Sequence, residues 1–503
     1  MANSSSLQSY ISKVGVDGVT PEAAAFWANM DLIAKVEPSV RDGIISELKD
    51  QRSSLKLIAS ENYSSLSVQS AMANLLTDKY AEGASGARFY AGCENVDEIE
   101  STASDLACQL FGCDHAYVQP HSGSDANLVA FWAILRERVQ LPALAQYQSK
   151  NPLDLNAAQW AEVRAELNNQ KLFAMDMFSG GHLTHGYRFN MSAQLFDVHQ
   201  YTVSKETNLL DYDNLWAQLK EIRPLVFLVG YSSYPRKIDF AKMRQMADDV
   251  GAVLMVDMAH FAGLVAGGVF EGDANPVPYA DVLTSTTHKT LRGPRGGIVL
   301  SKKEFAESVD KGCPMVMGGP LPHVIAAKAV AFREALSDGY KAYVQQVVDN
   351  ASALAEGLKS NDIPVVTDGT DNHLVVANIS SLGLTGRQCE GALRECGITA
   401  NRNVVPFDEN GPWFTSGLRF GTPSLTTLGM KQGEMKEIAN LINEALRGTS
   451  QGKIASGPNA GKPSRGAFVL APETQEKVSS DVRALLSKFV LYPEIDLDVI
   501  DGA

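Results

Sequence analysis

Between residues 115 and 301, short uninterrupted apolar runs alternate with longer stretches whose apolar positions recur at helical spacing. The runs are HAYVQ (115–119), KLFAMD (171–176), LVFLVG (225–230), AVLMVD (252–257), DVLTSTT (281–287) and GIVLS (297–301). Strands that are apolar throughout and separated by helices predict an α/β unit, a mostly parallel sheet covered on both faces. Ligands bind such sheets outside the carboxyl ends of the strands, so the polar residues that end these runs are where chemistry is expected.

Upstream, Phe26, Met30, Ile33, Val40, Ile44, Ile45 and Leu48 recur at helical spacing with a break at Pro38, which predicts two short helices. Residues 1–25 are polar and read as a loosely held arm, and LKLIASENYSS reads as a strand-like run ending in a turn. Residues 137–170 have helical period but carry no recognisable chemistry. Beyond about Val330 a long helix (324–359), β-structure in IPVVTDGTDNHLVVANIS, a helix near 385–396 and a last strand in FTSGLRFGT are expected. Residues 448–475, rich in Gly, Pro and Ser, predict an exposed loop, and VSSDVRALLSKFV a terminal amphipathic helix. The expected organisation is an arm with helices (1–60), a large unit (61–330) and a smaller C-terminal α+β unit (331–503) with 448–475 as an exposed loop insertion.

Composition narrows this little. A chain of 503 residues with 45% hydrophobic and 20% charged positions is ordinary for a folded protein of two or three domains. Charge says more: a formal net charge of −14 argues against nucleic-acid or acidic-membrane partners, which need a basic face. The six cysteines show no CxxC pair and no metal-ligand spacing, and read as reduced residues of an intracellular protein. With no signal-peptide pattern and no apolar window of membrane-spanning length, the expected address is the cytoplasm.

Candidate chemistry lies at the ends of the apolar runs. Lys289, in STTHKTLRGPRGG, follows a strand on a Gly/Pro-rich turn beside His288, Arg292 and Arg295. Neighbouring cations lower a lysine's pKa and make its amine a usable nucleophile; the plain alternative is an exposed turn lysine. Ser122-Gly123-Ser124 opens a helix after HAYVQ and offers N–H groups to a phosphate, or simply caps the helix. Asp257 closes AVLMVD with His260 three residues on. A lysine amine, a strand-end carboxylate and a phosphate cup are what pyridoxal phosphate requires. His182 and His185 in SGGHLTHG lack a third ligand at metal spacing, so an imidazole stacked on an aromatic ring is preferred and no metal is expected. Tyr80, Glu82, Arg88 and Tyr90 cluster in a glycine-rich loop that reads equally as a functional loop or an oligomer contact.

Taken together, LIASENY, KYAEG, RFYAGCENVDEIE, HSGSDAN, GGHLTHG, VDMAHFAGL, TSTTHKTLRGPRGG, MGGPLPH and TSGLRFGTPS stand in the order seen in serine hydroxymethyltransferases. The resemblance covers roughly residues 40–447 and the last helix. It implies the aspartate-aminotransferase-like (fold type I) architecture, a homodimer with shared active sites, and pyridoxal 5'-phosphate as a Schiff base on Lys289. It implies interconversion of serine plus tetrahydrofolate with glycine plus 5,10-methylenetetrahydrofolate. Catalytic work falls by resemblance to Lys289, Glu82, His260 and Thr286. Cofactor binding falls to Ser122, Gly123, Ser124, His182, Ser232, Asp257, His260 and His288, with Tyr80, Gly318 and Gly319 reaching in from the neighbouring chain. Substrate contacts fall to Ser60, Tyr90, Glu82, His260 and Arg419, the last a planar fork for a carboxylate. Folate contacts fall to Met177, Gly181, His182, Leu183, Asn403, Gly411, Pro412 and Trp413.

The chain departs from the family pattern at Phe89 (usually Tyr), in ASGAR at 84–88 (usually YPGKR), and at Met177, Ser179 and Trp413 (usually Leu, His and Phe). All of these are near folate or substrate positions. The rivals are a threonine-aldolase-like or racemase-like pyridoxal-phosphate enzyme with weakened folate use and, more distantly, a non-catalytic scaffold. The Glu82 loop and GGHLTHG favour the folate-linked transferase.

Overall fold

The computed structural model describes residues 5–501. Its central sheet has seven strands: β1 (His115–Tyr117), β2 (Lys171–Met175), β3 (Asp197–Tyr201), β4 (Val226–Gly230), β5 (Val253–Asp257), β6 (Val282–Thr286) and β7 (Gly297–Ser301). Their order is β1-β7-β6-β5-β4-β2-β3. From β3 to β6 every pairing is parallel, while β7 runs antiparallel to both β6 and β1. The continuous apolar runs are explained by the two-residue period of a strand. Phe227, Val229, Leu254 and Val256 pack into one core with the helices Glu94–Phe111 and Phe240–Val250. Val226, Leu228, Val253 and Met255 alternate with them into a second core under the helix Gly123–Leu135.

A further core lies around an antiparallel three-stranded sheet of Leu374–Asn378, Gly417–Gly421 and Asn401–Asn403. Leu55–Lys56 pairs in parallel with Ile398–Thr399, bringing Leu55 and Leu57 into that core and Ser60 beyond it. The helix Asp338–Ser360 serves both sides. Tyr340, Tyr343, Val344 and Val347 belong to the first core, and Ala351, Leu354, Ala355 and Leu358 to the last.

Four expectations change. The segment 448–475 is not a loop: Thr449–Lys453 and Pro463–Leu470 form a hairpin, because Phe468 and Leu470 alternate inward onto the 386–395 helix and the core behind it. Only its tip carries the composition of a turn. The arm is not loose from residue 5 on. Asp31 accepts the Ser6 and Leu7 N–H groups at 2.8 and 3.0 Å, and Tyr10 is buried with Trp27, Ile495 and Val499. The long helix at 324–359 is two, Pro322–Ala335 and Asp338–Ser360, separated where Ser337 caps the second. In IPVVTDGTDNHLVVANIS only Leu374–Asn378 is a strand, with Val365 bridging to Ala377. Among the described residues no helix is long and apolar enough to cross a membrane.

Gly421, two residues after Arg419, shows how tightly the segment from 55 to 61 is held. A Cβ there would lie 2.3 Å from the Ala59 Cα, and the backbone has to move. Gly421→Ala should therefore destabilise by about 1–3 kcal/mol in urea unfolding at unchanged m-value. Gly433→Ala, on the Gln432–Arg447 helix with open space around it, should leave stability unchanged or raise it.

Candidate active site

A cavity of about 460 Å³ opens at the carboxyl ends of β5 and β6. Asp257 ends β5, and Thr286 ends β6 just before Lys289. The start of the 123–135 helix, His182, Tyr231 and Ser232 complete one wall, and Ser60, Glu61 and Arg419 enter from the second sheet's side. The strands run close here: a side chain on Gly230, at φ 149°, would place its Cβ 2.2 Å from the Asp257 carbonyl oxygen.

Lys289 is buried, not an exposed turn residue. Its carbonyl accepts Asn62 Nδ2 at 3.0 Å and the Arg292 N–H at 3.0 Å. The turn closes through Gly293 N–H to the Thr287 carbonyl at 2.7 Å, and Gly297 is obligatory because a Cβ would sit 2.2 Å from the Ser122 carbonyl oxygen. Burial lowers the Lys289 pKa to about 8, with Asp257 opposing and Arg419 and Arg295 assisting. Arg292 does not take part. At φ 60° it turns away and stacks 4.4 Å from the Tyr343 ring centre.

Asp257 is buried, and burial alone would raise its pKa. The hydrogen bond and charge of His185, with His182 and Asn127, hold it well below the usual carboxylate range. Its Oδ2 accepts Asn127 Nδ2 at 2.9 Å and His185 Nε2 at 3.0 Å, and its Oδ1 accepts the Ala259 N–H at 3.0 Å. His185 Nδ1 accepts the His182 N–H at 3.2 Å, so Nε2 is the ring nitrogen that donates to the carboxylate. Asn127 also donates to Thr184 Oγ1 at 2.8 Å and accepts from Thr284 at 2.6 Å. Thr184 Oγ1 lies 2.7 Å from His182 Nδ1, leaving Nε2 of that ring uncommitted. Burial, with the charge of His185, lowers His182 to about 4, so it is neutral.

At the other end, Ser122 is the helix cap, its Oγ accepting the Asp125 N–H at 3.2 Å, while Ser124 lines the cavity. Gly123 lies so close to Thr286 that a Cβ would be 2.7 Å from its methyl group. His288 Nδ1 is buried with no partner; burial, Arg295 and Lys289 hold this imidazole at about 3. Arg419 Nε donates to Asn401 Oδ1 at 3.1 Å and Nη1 to the Ser232 carbonyl at 2.7 Å. Nη2 has no protein partner among the described residues. Burial pulls Arg419 down to about 10, still charged at neutral pH. His260 Nδ1 lies 3.2 Å from His373 Nε2, and burial, Lys289 and Arg419 keep His260 well below its ordinary value.

The cavity thus gathers Ser60, Ser122, Gly123, Ser124, His182, Ser232, Asp257, His260, Thr286, His288, Lys289 and Arg419. Other candidates lie outside it. Tyr80 and Tyr90 form an edge-to-face pair at 5.0 Å, half-exposed together with Phe89, and Tyr80 packs on Gly319. Glu82 and Gly318 belong to this same region: Glu82 sits beside the Tyr90 phenol, and the Gly318 carbonyl accepts Cys313 Sγ at 3.3 Å. Met177, Gly181, Leu183, Asn403, Gly411, Pro412 and Trp413 do not line the cavity either. Gly181 is packed on the Met175 carbonyl, Asn403 is two residues from Asn401, and Trp413 is exposed under Arg387 and Arg402. Sequence reasoning missed Asn127, Thr184, His185 and His373 as supports, and Glu61 and Tyr231 as lining. A polar Asn127 one turn into an otherwise apolar helix was the available signal. Among the described residues no group of three or more His, Cys, Asp or Glu is arranged to hold a metal ion.

Because Asp257 titrates below its unfolded value, its ionised form contributes stability that is complete above about pH 4 and is lost as pH falls further. In Asp257→Asn the slope of urea-derived stability against pH below about pH 4 should be shallower by up to about 1.4 kcal/mol per pH unit.

The family model described as serine hydroxymethyltransferase matches residues 33–148 and 145–442. The serine hydroxymethyltransferase of Treponema pallidum is 56% identical over 494 residues, spanning 98% of this chain and 85% of that protein. That of Mycolicibacterium smegmatis is 53% identical over 483 residues (96% and 97%), and that of Cutibacterium acnes 52% identical over 476 (94% and 96%). The family is one of pyridoxal-phosphate enzymes of fold type I with a folate co-substrate, in keeping with the mostly parallel seven-stranded sheet. By its family model and by identity over nearly its whole length, the chain belongs to the serine hydroxymethyltransferase family.

Proposed function

We propose that this chain carries out its family's reaction, the reversible transfer of serine's hydroxymethyl carbon to tetrahydrofolate, in the cavity between Lys289, Asp257 and Arg419. The observation that carries the reading is the conjunction, in one small cavity, of a buried amine at about 8, a carboxylate held ionised and a guanidinium.

The residues present fit pyridoxal phosphate. The buried, unpartnered His288 Nδ1 suits a phosphate oxygen, and the Gly123–Thr286 approach leaves a cradle that any side chain at 123 would fill. Lys289 would hold its carbonyl carbon, Asp257 its ring nitrogen, and Ser122, Gly123, Ser124 and His288 its phosphate, with His182 over the ring and Ser232 near the 3-oxygen. When bound, the group supplies an electron sink for bond breaking at an amino acid's α-carbon.

The chain's own residues do the rest. Arg419, fixed by Asn401 and the Ser232 carbonyl, presents Nη2 to the serine carboxylate, and Ser60 adds a hydroxyl. His260, kept neutral and propped on His373, hydrogen-bonds the substrate without competing for its carboxylate. Thr286, bonded to the Ala259 carbonyl at 3.2 Å, holds the floor between Asp257 and Lys289. Folate enters past Leu183 and the 411–413 turn, with Met177, Gly181 and Asn403 beside that path.

Tyr80, Glu82, Tyr90, Gly318 and Gly319 act in the site of a second copy. What supports this is that Tyr80 and Tyr90 are exposed with Phe89, with Glu82 beside Tyr90 and Gly319 against Tyr80, and that none of them lines the cavity of its own chain. Glu82 is then the proton carrier between serine hydroxyl and folate.

Adding pyridoxal phosphate to wild type should give a visible absorbance band that Lys289→Ala lacks, and serine cleavage should depend on tetrahydrofolate. Cleavage of threonine that ignores tetrahydrofolate would move the aldolase reading ahead, and absence of any band would overturn both. Arg419→Lys should raise the serine KM roughly 30-fold, about 2 kcal/mol, through loss of the fork. Mixing inactive Lys289→Ala and Glu82→Gln chains should restore about a quarter of wild-type activity if sites are shared, and none if Glu82 serves its own chain.

A further inference from the structure

Four of the six cysteines are buried; Cys108 and Cys113 are only half-buried. Cys108 lies on the last turn of the Glu94–Phe111 helix, and its carbonyl accepts the N–H of Gly112, which ends the helix in the left-handed conformation. That reversal swings Cys113 back over the helix end, where its Sγ donates to Cys108 Sγ at 3.9 Å. A disulfide needs about 2 Å between sulfurs, so a displacement of about 2 Å closes the pair. Beside Cys108 a separate cavity of about 280 Å³ opens, lined by Ala84, Ser85, Glu100, Asp105 and His115 among others. The small residues of ASGAR give it room, and His115, held by Asp310 at 2.7 Å, places an imidazole next to the sulfur.

The two thiols are unequal. The Cys113 S–H, against burial and with help from His115, lowers Cys108 to about 7, whereas the same contact and burial push Cys113 far up. An accessible thiolate beside a protonated, resolving thiol is the arrangement that exchanges with disulfides.

We propose that Cys108 and Cys113 form a reversible thiol–disulfide site, separate from the catalytic cavity, which takes low-molecular-weight disulfides and closes into an intramolecular disulfide. The Cys108 thiolate attacks one sulfur of the small disulfide, breaking its S–S bond and releasing one thiolate. Cys113 Sγ then attacks Cys108 Sγ, and the second small thiol leaves with the Cys113 proton. The two protein sulfurs are oxidised by two electrons and the small disulfide is reduced to two thiols.

The test uses the full native chain with oxidised glutathione at graded ratios to reduced glutathione, alkylation, and mass mapping of every cysteine. Expected is a 108–113 disulfide that forms while Cys93, Cys313, Cys389 and Cys396 stay reduced, and that reopens in reduced glutathione. Cys113→Ser should accumulate glutathione on Cys108, and Cys108→Ser should leave Cys113 unmodified. The wild-type mapping stands without the variants should either fail to fold. Glutathione that stays on wild-type Cys108 without closure, oxidation of the buried cysteines first, or no oxidation until the chain unfolds would each overturn the proposal.

Discussion

A charge in the interior has to be surrounded, and the carboxylate of Asp257 is the charge this structure surrounds. It sits at the end of a strand buried on both faces, where an unsupported ion would simply take up a proton. Its three donors come from a helix, from the loop after β2 and from its own chain two residues on. Each donor is itself held. Asn127 is pinned by Thr284 on the next strand, and the His185 ring is held by the backbone N–H of His182. The site therefore rests partly on supports, His185 and Thr284, that do not line the cavity.

Lys289 illustrates the complementary problem, an amine made reactive by exclusion from water. Its turn belongs to the first core, yet the group holding its carbonyl, Asn62, comes from the segment leading out of the core around the three-stranded sheet, and Arg419 across the cavity lies on that sheet. Arg419 cannot approach Ser232 unless the three-stranded sheet is seated against β4. Lys289, Asp257 and Ser122 are thus carried with the seven-stranded sheet and Arg419 with the three-stranded one.

How much of this could be read in advance divides along a physical line. Apolar runs, helix periods and the ends of strands are local, and they gave the sheet, its parallel character and the residues Asp257, Lys289 and Ser122. Contacts formed by distant segments were not legible. Nothing near His185 announces that its partner is 72 residues away, and nothing near His373 that it stacks on His260. Composition misled where it averaged over a hairpin: the turn residues Ser456, Gly457, Pro458, Asn459 and Gly461 at its tip masked Phe468 and Leu470 on one flank. Adjacency misled once as well. Arg292 is nearer to Lys289 in sequence than Arg419, but a left-handed turn sends it to Tyr343, while burial, opposed by Asp257 and assisted by Arg419, sets the amine.

The helix Asp338–Ser360 gives half its apolar face to each of two cores, and at about 1.5 Å per residue its 23 residues form a strut about 35 Å long. A strut shared in this way leaves no hinge between the bodies at that crossing. Breathing of the cleft must either bend the helix or slide one core along it, and both disturb side chains packed at native density. Fraying of one core is transmitted to the other as lost helix, so slow opening of backbone amides along 338–360 reports on both bodies at once.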